Sequence, residues 1–221
     1  MTASGVSVKI CGLSEAETAH VAAGAGARWL GFVHFAPSPR HLDLAAARAL
    51  APDLPPKGPE RVGVFAGADT GTMAAFADIL SLDWVQLHGA ETPDDIAALR
   101  DRLGLKVMKA ISVGGPADIA AAAAYVGAAD MILFDAKPPK DSVLPGGNAV
   151  SFPWGLMRGH DSALPWLLAG GLTAATVSQA LADSGANALD VSSGVETAPG
   201  VKSASKIRAF LMAAKAAKQG A

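Results

Sequence analysis

Short apolar runs end at residues 11, 35, 65, 88, 111, 135, 169 and 191, one every 22 to 34 residues. The runs cover 6–11, 29–35, 61–65, 84–88, 106–111, 131–135, 166–169 and 188–191. They are continuous rather than alternating, as strands are when both faces are covered. Helix-like stretches lie between them at 14–23, 43–50, 72–80, 93–103, 116–124 and 173–182, and another closes the chain at 203–217. Ser14 before Glu17 has the spacing of a capping box, and Thr92 before Pro93 is a second start signal. A helix over 151–158 is the weakest expectation, because Pro153 and Gly155 interrupt it. Eight strand–helix units in 221 residues predict an α/β fold, a single (β/α)8 TIM barrel forming one domain over 1–221. An open doubly wound sheet would place a Gly-x-Gly-x-x-Gly loop after the first strand. Cys11-Gly12-Leu13 stands there instead.

A barrel gathers its strand ends at one face, and this gives two residues their meaning. Cys11, the only cysteine, ends the first run, and Asp135 ends the sixth. In a ring of eight these strands are three steps apart, so their ends face each other across the mouth. A lone cysteine is often an inert small hydrophobe, but a carboxylate directly after Met-Ile-Leu-Phe is costly to bury without a task or partner. Strands seven and eight lie between the two and run into Leu168-Ala169-Gly170-Gly171-Leu172-Thr173 and Asp190-Val191-Ser192-Ser193-Gly194-Val195-Glu196. In barrels these loops often hold a phosphate against backbone N–H groups. Gly170, Gly171, Ser193 and Gly194 are therefore expected to bind a phosphorylated substrate lying between Cys11 and Asp135.

Arg40 follows two prolines on the loop after strand two, where its fork suits a substrate carboxylate. His88 ends strand four and either faces the site or belongs to a structural hydrogen-bond network. Lys9 and Lys109 are either pocket groups or packed, snorkelling side chains. His20, His41 and His160 are expected at surface or helix positions, with only His34 in a strand, and none has a metal-ligand spacing.

Composition sets limits. A net charge of −2 gives no nucleic-acid footprint. One cysteine excludes an internal disulfide and a multi-cysteine metal site and fits a reducing, cytoplasmic setting. The stretch 162–182 lacks charge, but its glycines, Pro165 and polar residues make it strand, loop and helix rather than a membrane span.

Taken in order, several segments resemble one family along essentially the whole chain: Lys9-Ile10-Cys11-Gly12, Ser38-Pro39-Arg40, Val62-Gly63-Val64-Phe65, Val85-Gln86-Leu87-His88-Gly89, Phe134-Asp135, Pro145-Gly146-Gly147 and the two glycine-bearing loops above. The chain resembles the phosphoribosylanthranilate isomerases of tryptophan biosynthesis, which are (β/α)8 barrels. The resemblance implies an Amadori rearrangement of N-(5-phosphoribosyl)anthranilate to 1-(o-carboxyphenylamino)-1-deoxyribulose 5-phosphate. It gives Asp135 the role of general acid at the furanose oxygen and Cys11 that of general base at C2. It implies no redox cofactor, no metal, a small phosphosugar substrate, no nucleic-acid or membrane partner, and a monomer or homodimer. The pattern departs at Gly146-Gly147-Asn148-Ala149 and Phe152-Pro153-Trp154, where the family has Gly-Gly-Thr-Gly and Phe-Asp-Trp. Two alternatives are a related imidazole-sugar isomerase and a catalytically silent metabolite-binding barrel. The first would carry an aspartate at position 11 and a second phosphate cradle; the second has no use for both Cys11 and Asp135.

Overall fold

The computed structural model describes residues 5–138, 144, 146–147 and 150–219. Eight parallel strands close into a barrel in chain order. They are β1 (Ser7–Cys11), β2 (Trp29–His34), β3 (Glu60–Phe65), β4 (Trp84–Leu87), β5 (Lys106–Val113), β6 (Met131–Ala136), β7 (Trp166–Leu168) and β8 (Ala188–Val191). The helices are α1 (Ala16–Gly24), α2 (Leu44–Leu50), α3 (Thr70–Leu80), α4 (Pro93–Leu103), α5 (Pro116–Ala120), α6 (Val177–Ser184) and α7 (Ala204–Gln219). Of these, α4 has the fullest end signals. Thr92 and Asp95 cap each other's backbone, Pro93 opens the first turn, and Gly104 closes the helix at φ 65°.

Local chemistry explains where the elements depart from the sequence pattern. Ser14 does not cap α1: the helix starts after Glu15 with no side-chain cap, and the N–H groups of Gly12 and Leu13 both donate to Gly31 O. Helix α6 starts at Val177 rather than 173, because Thr173 and Thr176 donate their backbone N–H groups to each other's hydroxyls in a tight turn. The stretch 116–124 is α-helical only to Ala120 and continues as a 3₁₀ turn over Ala121–Tyr125. Over 151–158 only a 3₁₀ turn forms, Trp154–Met157, consistent with Pro153 and Gly155. Pro145, Asn148 and Ala149 of the expected glycine-rich loop lie outside the described residues.

Alternation along the strands divides the core into two layers. One layer lies between barrel and helices and includes Ile10, Phe32, Phe65, Phe76, Phe134 and Phe210. The other fills the barrel, with Trp29, Trp84 and Met131 at the strand starts and Cys11, Val64, Leu133 and Ala169 further along. The inward face of β1 carries Lys9 and Cys11 together. Register sets Lys9 beside Trp29 on β2 and Asp190 on β8, and Cys11 beside Gly31.

After β8 the chain makes a 3₁₀ turn, Ser193–Val195, and a small hairpin of β9 (Glu196–Ala198) and β10 (Val201–Lys202). The turn glycine, Gly200, has φ 83° and packs so closely on Pro39 that a Cβ there would lie 2.3 Å from Pro39 O. The hairpin thus braces the loop that carries Arg40.

Candidate active site

One pocket at the C-terminal ends of the strands is lined by nearly all the residues expected there: Cys11, Arg40, His88, Asp135, Gly170, Gly171 and Ser193. Gly194 is the next residue and lies beneath the loop, where a Cβ would be 1.9 Å from Leu172 O. That contact locks the loops after β7 and β8 together and leaves no room for a side chain. Gly170 and Gly171 have φ of 88° and 66°, backbone that glycine adopts without strain. Among the described residues no backbone hydrogen bond outside the helices and strands uses the N–H group of Gly171.

Asp135 leaves the end of β6 facing inward, 8% exposed. Its Oδ1 accepts from the N–H of Ala136 at 2.8 Å. Gly146 passes directly over it: a Cβ there would be 2.5 Å from Oδ2 and 3.2 Å from His88 Cε1. Burial is the main cause that pushes the Asp135 carboxyl up to about 7, with the nearby Asp190 charge adding to it. The group is thus poised to be a neutral proton donor near physiological pH.

Cys11 is buried, and burial pushes its thiol above the ordinary range. Asp190 adds to this, while Lys9 and Lys202 oppose it. Lys9 is completely buried, its Nζ 2.9 Å from Asp190 Oδ1. Burial alone would lower the Lys9 pKa, but the Asp190 and Cys11 charges outweigh it and the net shift is upward, so the ammonium persists. Lys9 is therefore an inward group. Lys109 is not: on the opposite face of β5, it donates to Gly89 O at 2.6 Å and Glu91 Oε2 at 2.7 Å beneath Tyr125.

His88 both lines the pocket and belongs to a network. Its Nε2 is hydrogen-bonded to Gln86, the inward residue two places earlier. Burial, with Lys9 and Lys109 nearby, lowers its pKa to about 3, so the ring is neutral. With the Gln86 amide nitrogen donating to Nε2, the remaining ring proton sits on Nδ1, the nitrogen beside Gly146.

Arg40 is 6% exposed, not a solvated loop residue. Its aliphatic stem crosses Gly12, where a Cβ would be 2.6 Å from Cδ. Nε and Nη2 donate to the two oxygens of Glu196 at 2.7 and 2.9 Å. Lys202 donates to the same carboxylate at 2.6 Å and to Ser192 O and Oγ, and Ser192 Oγ donates to Cys11 O. The Glu196 carboxyl is held low despite burial, by hydrogen bonds from Arg40 and Lys202. Two cations around one carboxylate leave a surplus positive charge at the pocket wall.

Sequence reasoning passed over Asp190, Glu196, Lys202 and Gln86. A signal existed for Gln86 and Asp190, since each is a lone polar residue in an apolar strand, Trp84-Val85-Gln86-Leu87 and Ala188-Leu189-Asp190-Val191. Glu196 and Lys202 depend on a hairpin too short to have a periodicity. His160 is half-buried and stacks edge-on against Phe134 and Trp166 instead of lying at the surface. Among the described residues no group of three His, Cys, Asp or Glu is arranged to hold a metal. No helix there is long and apolar enough to cross a membrane.

Residues 8–213 match the family model described as N-(5'-phosphoribosyl)anthranilate (PRA) isomerase. An N-(5'-phosphoribosyl)anthranilate isomerase from Paramagnetospirillum magneticum is 50% identical over 95% of this chain and 97% of its own length. The crystal structure of phosphoribosyl anthranilate isomerase from Thermotoga maritima is similar at TM-score 0.82 and 34% identity, covering 96% of this chain and 99% of that one. A further crystal structure of such an isomerase is in complex with reduced 1-(o-carboxyphenylamino)-1-deoxyribulose 5-phosphate; it aligns at TM-score 0.81 and 32% identity, over 96% of this chain and 99% of that one.

Proposed function

Because the chain belongs to the N-(5'-phosphoribosyl)anthranilate isomerase family, we propose that its rearrangement is performed by Asp135 as general acid and Cys11 as general base. The reaction is the Amadori rearrangement of N-(5-phosphoribosyl)anthranilate to 1-(o-carboxyphenylamino)-1-deoxyribulose 5-phosphate, a step of L-tryptophan biosynthesis. Residues 1–221 act as one catalytic unit, and the setting is cytoplasmic. The observation that carries the assignment is a carboxyl poised near pH 7 in the same pocket as the chain's only thiol.

Neutral Asp135 protonates the furanose oxygen as the C1–O bond breaks, and the anthranilate nitrogen lone pair forms the Schiff base. The Cys11 thiolate then takes the proton from C2, and the electron pair of that bond gives the enolamine, which relaxes to the ketone. Electrons move only within the substrate, so no external redox partner enters the balance. The pair starts as thiolate and carboxylic acid and ends as thiol and carboxylate, with the same total of one proton. The loops at Gly170–Gly171 and Ser193–Gly194 hold the phosphate. Nδ1–H of His88 donates to the sugar, and the positive wall at Arg40 receives the anthranilate carboxylate.

The test follows the loss of fluorescence of phosphoribosylanthranilate generated in situ, with wild type and Arg40→Ala. The variant is expected to lose a few kcal/mol at most in kcat/KM, the scale of a charge-assisted contact. An analogue lacking the carboxylate should be affected little. Equal losses on both substrates would show that Arg40 serves to brace Glu196 and the loop rather than to receive the carboxylate.

A further inference from the structure

Burying a lysine completely at the floor of a reaction site is costly unless its charge is paired and hydrogen-bonded. Lys9 is such a residue. It is held by Asp190 across the β1–β8 seam, and it lies two positions before Cys11 on the same inward face. The space beside both belongs to Gly31. A Cβ on Gly31 would lie 3.1 Å from Lys9 Cε, 3.1 Å from Cys11 Sγ and 3.1 Å from Cys11 Cα, so one missing side chain lets the lysine stem and the sulfur crowd to the same point. The Gly31 carbonyl meanwhile fixes the exit of β1 by accepting from Gly12 and Leu13.

Resting on the acid–base reading above, we propose that Lys9 is a positioning residue for the reaction: lodged against Gly31 and anchored by Asp190, it stabilises the negative charge on the Cys11 sulfur. The other charged groups acting on the sulfur are Asp190 from β8, which opposes the thiolate, and Lys202 from β10, which favours it. Asp135, Arg40 and neutral His88 line the same pocket from further round the mouth. Lys9 and Asp190 therefore act on the thiol in opposite senses while forming one ion pair. Removing the cation and removing the anion should therefore move the thiol's titration in opposite directions.

The chain has one cysteine, so iodoacetamide alkylation of the full-length protein followed by intact mass reads Cys11 alone. The rate is measured from pH 6 to 10 in wild type, Lys9→Met and Asp190→Asn. Lys9→Met should carry the midpoint to higher pH, and the rate at pH 8 should fall about tenfold for each whole pH step that the midpoint climbs. Asp190→Asn should carry it to lower pH and raise the rate. In turnover, Lys9→Met should lower kcat with little change in KM. Midpoints that move together, or do not move, overturn the proposal. If Lys9→Met fails to fold, Lys9→Gln is measured in its place, and an unchanged or lowered midpoint overturns the proposal. Alkylation reports the electrostatics whatever Cys11 does in turnover, whereas the activity of Cys11→Ser reports the base assignment whatever Lys9 does.

Discussion

Asp135→Asn is expected to lower kcat by about 10²–10⁴-fold while leaving the barrel folded. The fold should tolerate it because little of the native environment depends on a charge there. The carboxyl is already neutral for much of the population near pH 7, and it has no cationic hydrogen-bond partner among the described residues. An asparagine oxygen can still accept from Ala136 N–H. What is lost is the acidic proton delivered to the ring oxygen, and an amide cannot supply it. The measurement is kcat by fluorescence loss beside a thermal melt. A folded Asp135→Asn enzyme with near wild-type turnover would assign ring opening to another group.

Cys11→Ser is expected to cost a similar factor, about 10²–10⁴-fold in kcat, for the opposite reason. A hydroxyl is far harder to ionise than a thiol, and this site already disfavours the thiolate through burial. The smaller oxygen fits where sulfur lies close to Gly31, so the packing change is minor. Cys11→Ala should then be as inactive as Cys11→Ser. A serine variant that retained most of the wild-type rate, with the alanine variant silent, would point to a hydrogen-bonding rather than a proton-abstracting role.

The barrel was legible because each strand is a short continuous apolar run and each spacing leaves room for one helix. The strand ends at Cys11, Phe65 and Val191 match to the residue, those at Phe35, His88 and Ala169 overshoot by one, and those at Ile111 and Asp135 fall short by two and by one. Errors fell where side chains compete with backbone patterns, as at Ser14, at Thr173 with Thr176, and at Pro153. The pocket residues were legible for a related reason. In a parallel barrel every strand end reaches the same mouth, so Cys11, Asp135, His88 and the late glycines were bound to converge. The electrostatics were less legible. That Lys9 points in and Lys109 out follows from strand parity, which a sequence with several apolar residues on both faces does not settle. That Arg40 meets Glu196 requires the β9–β10 hairpin, whose strands are too short to leave a pattern to find.

The most direct test of the acid–base account is the pH dependence of kcat/KM, which reports the free enzyme. The active form has one proton on the Asp135–Cys11 pair, so the two limbs belong to the pair. Below about 7 the carboxylate takes up a second proton while the thiol stays protonated, no base remains, and activity falls with pH. Above the raised thiol value the pair loses its last proton, no acid remains, and activity falls again. The account predicts a bell whose lower limb lies near 7 in wild type. In Asp135→Asn that limb should be replaced by a rise in the thiol range, at higher pH. A lower limb that stays near 7 in Asp135→Asn would contradict it.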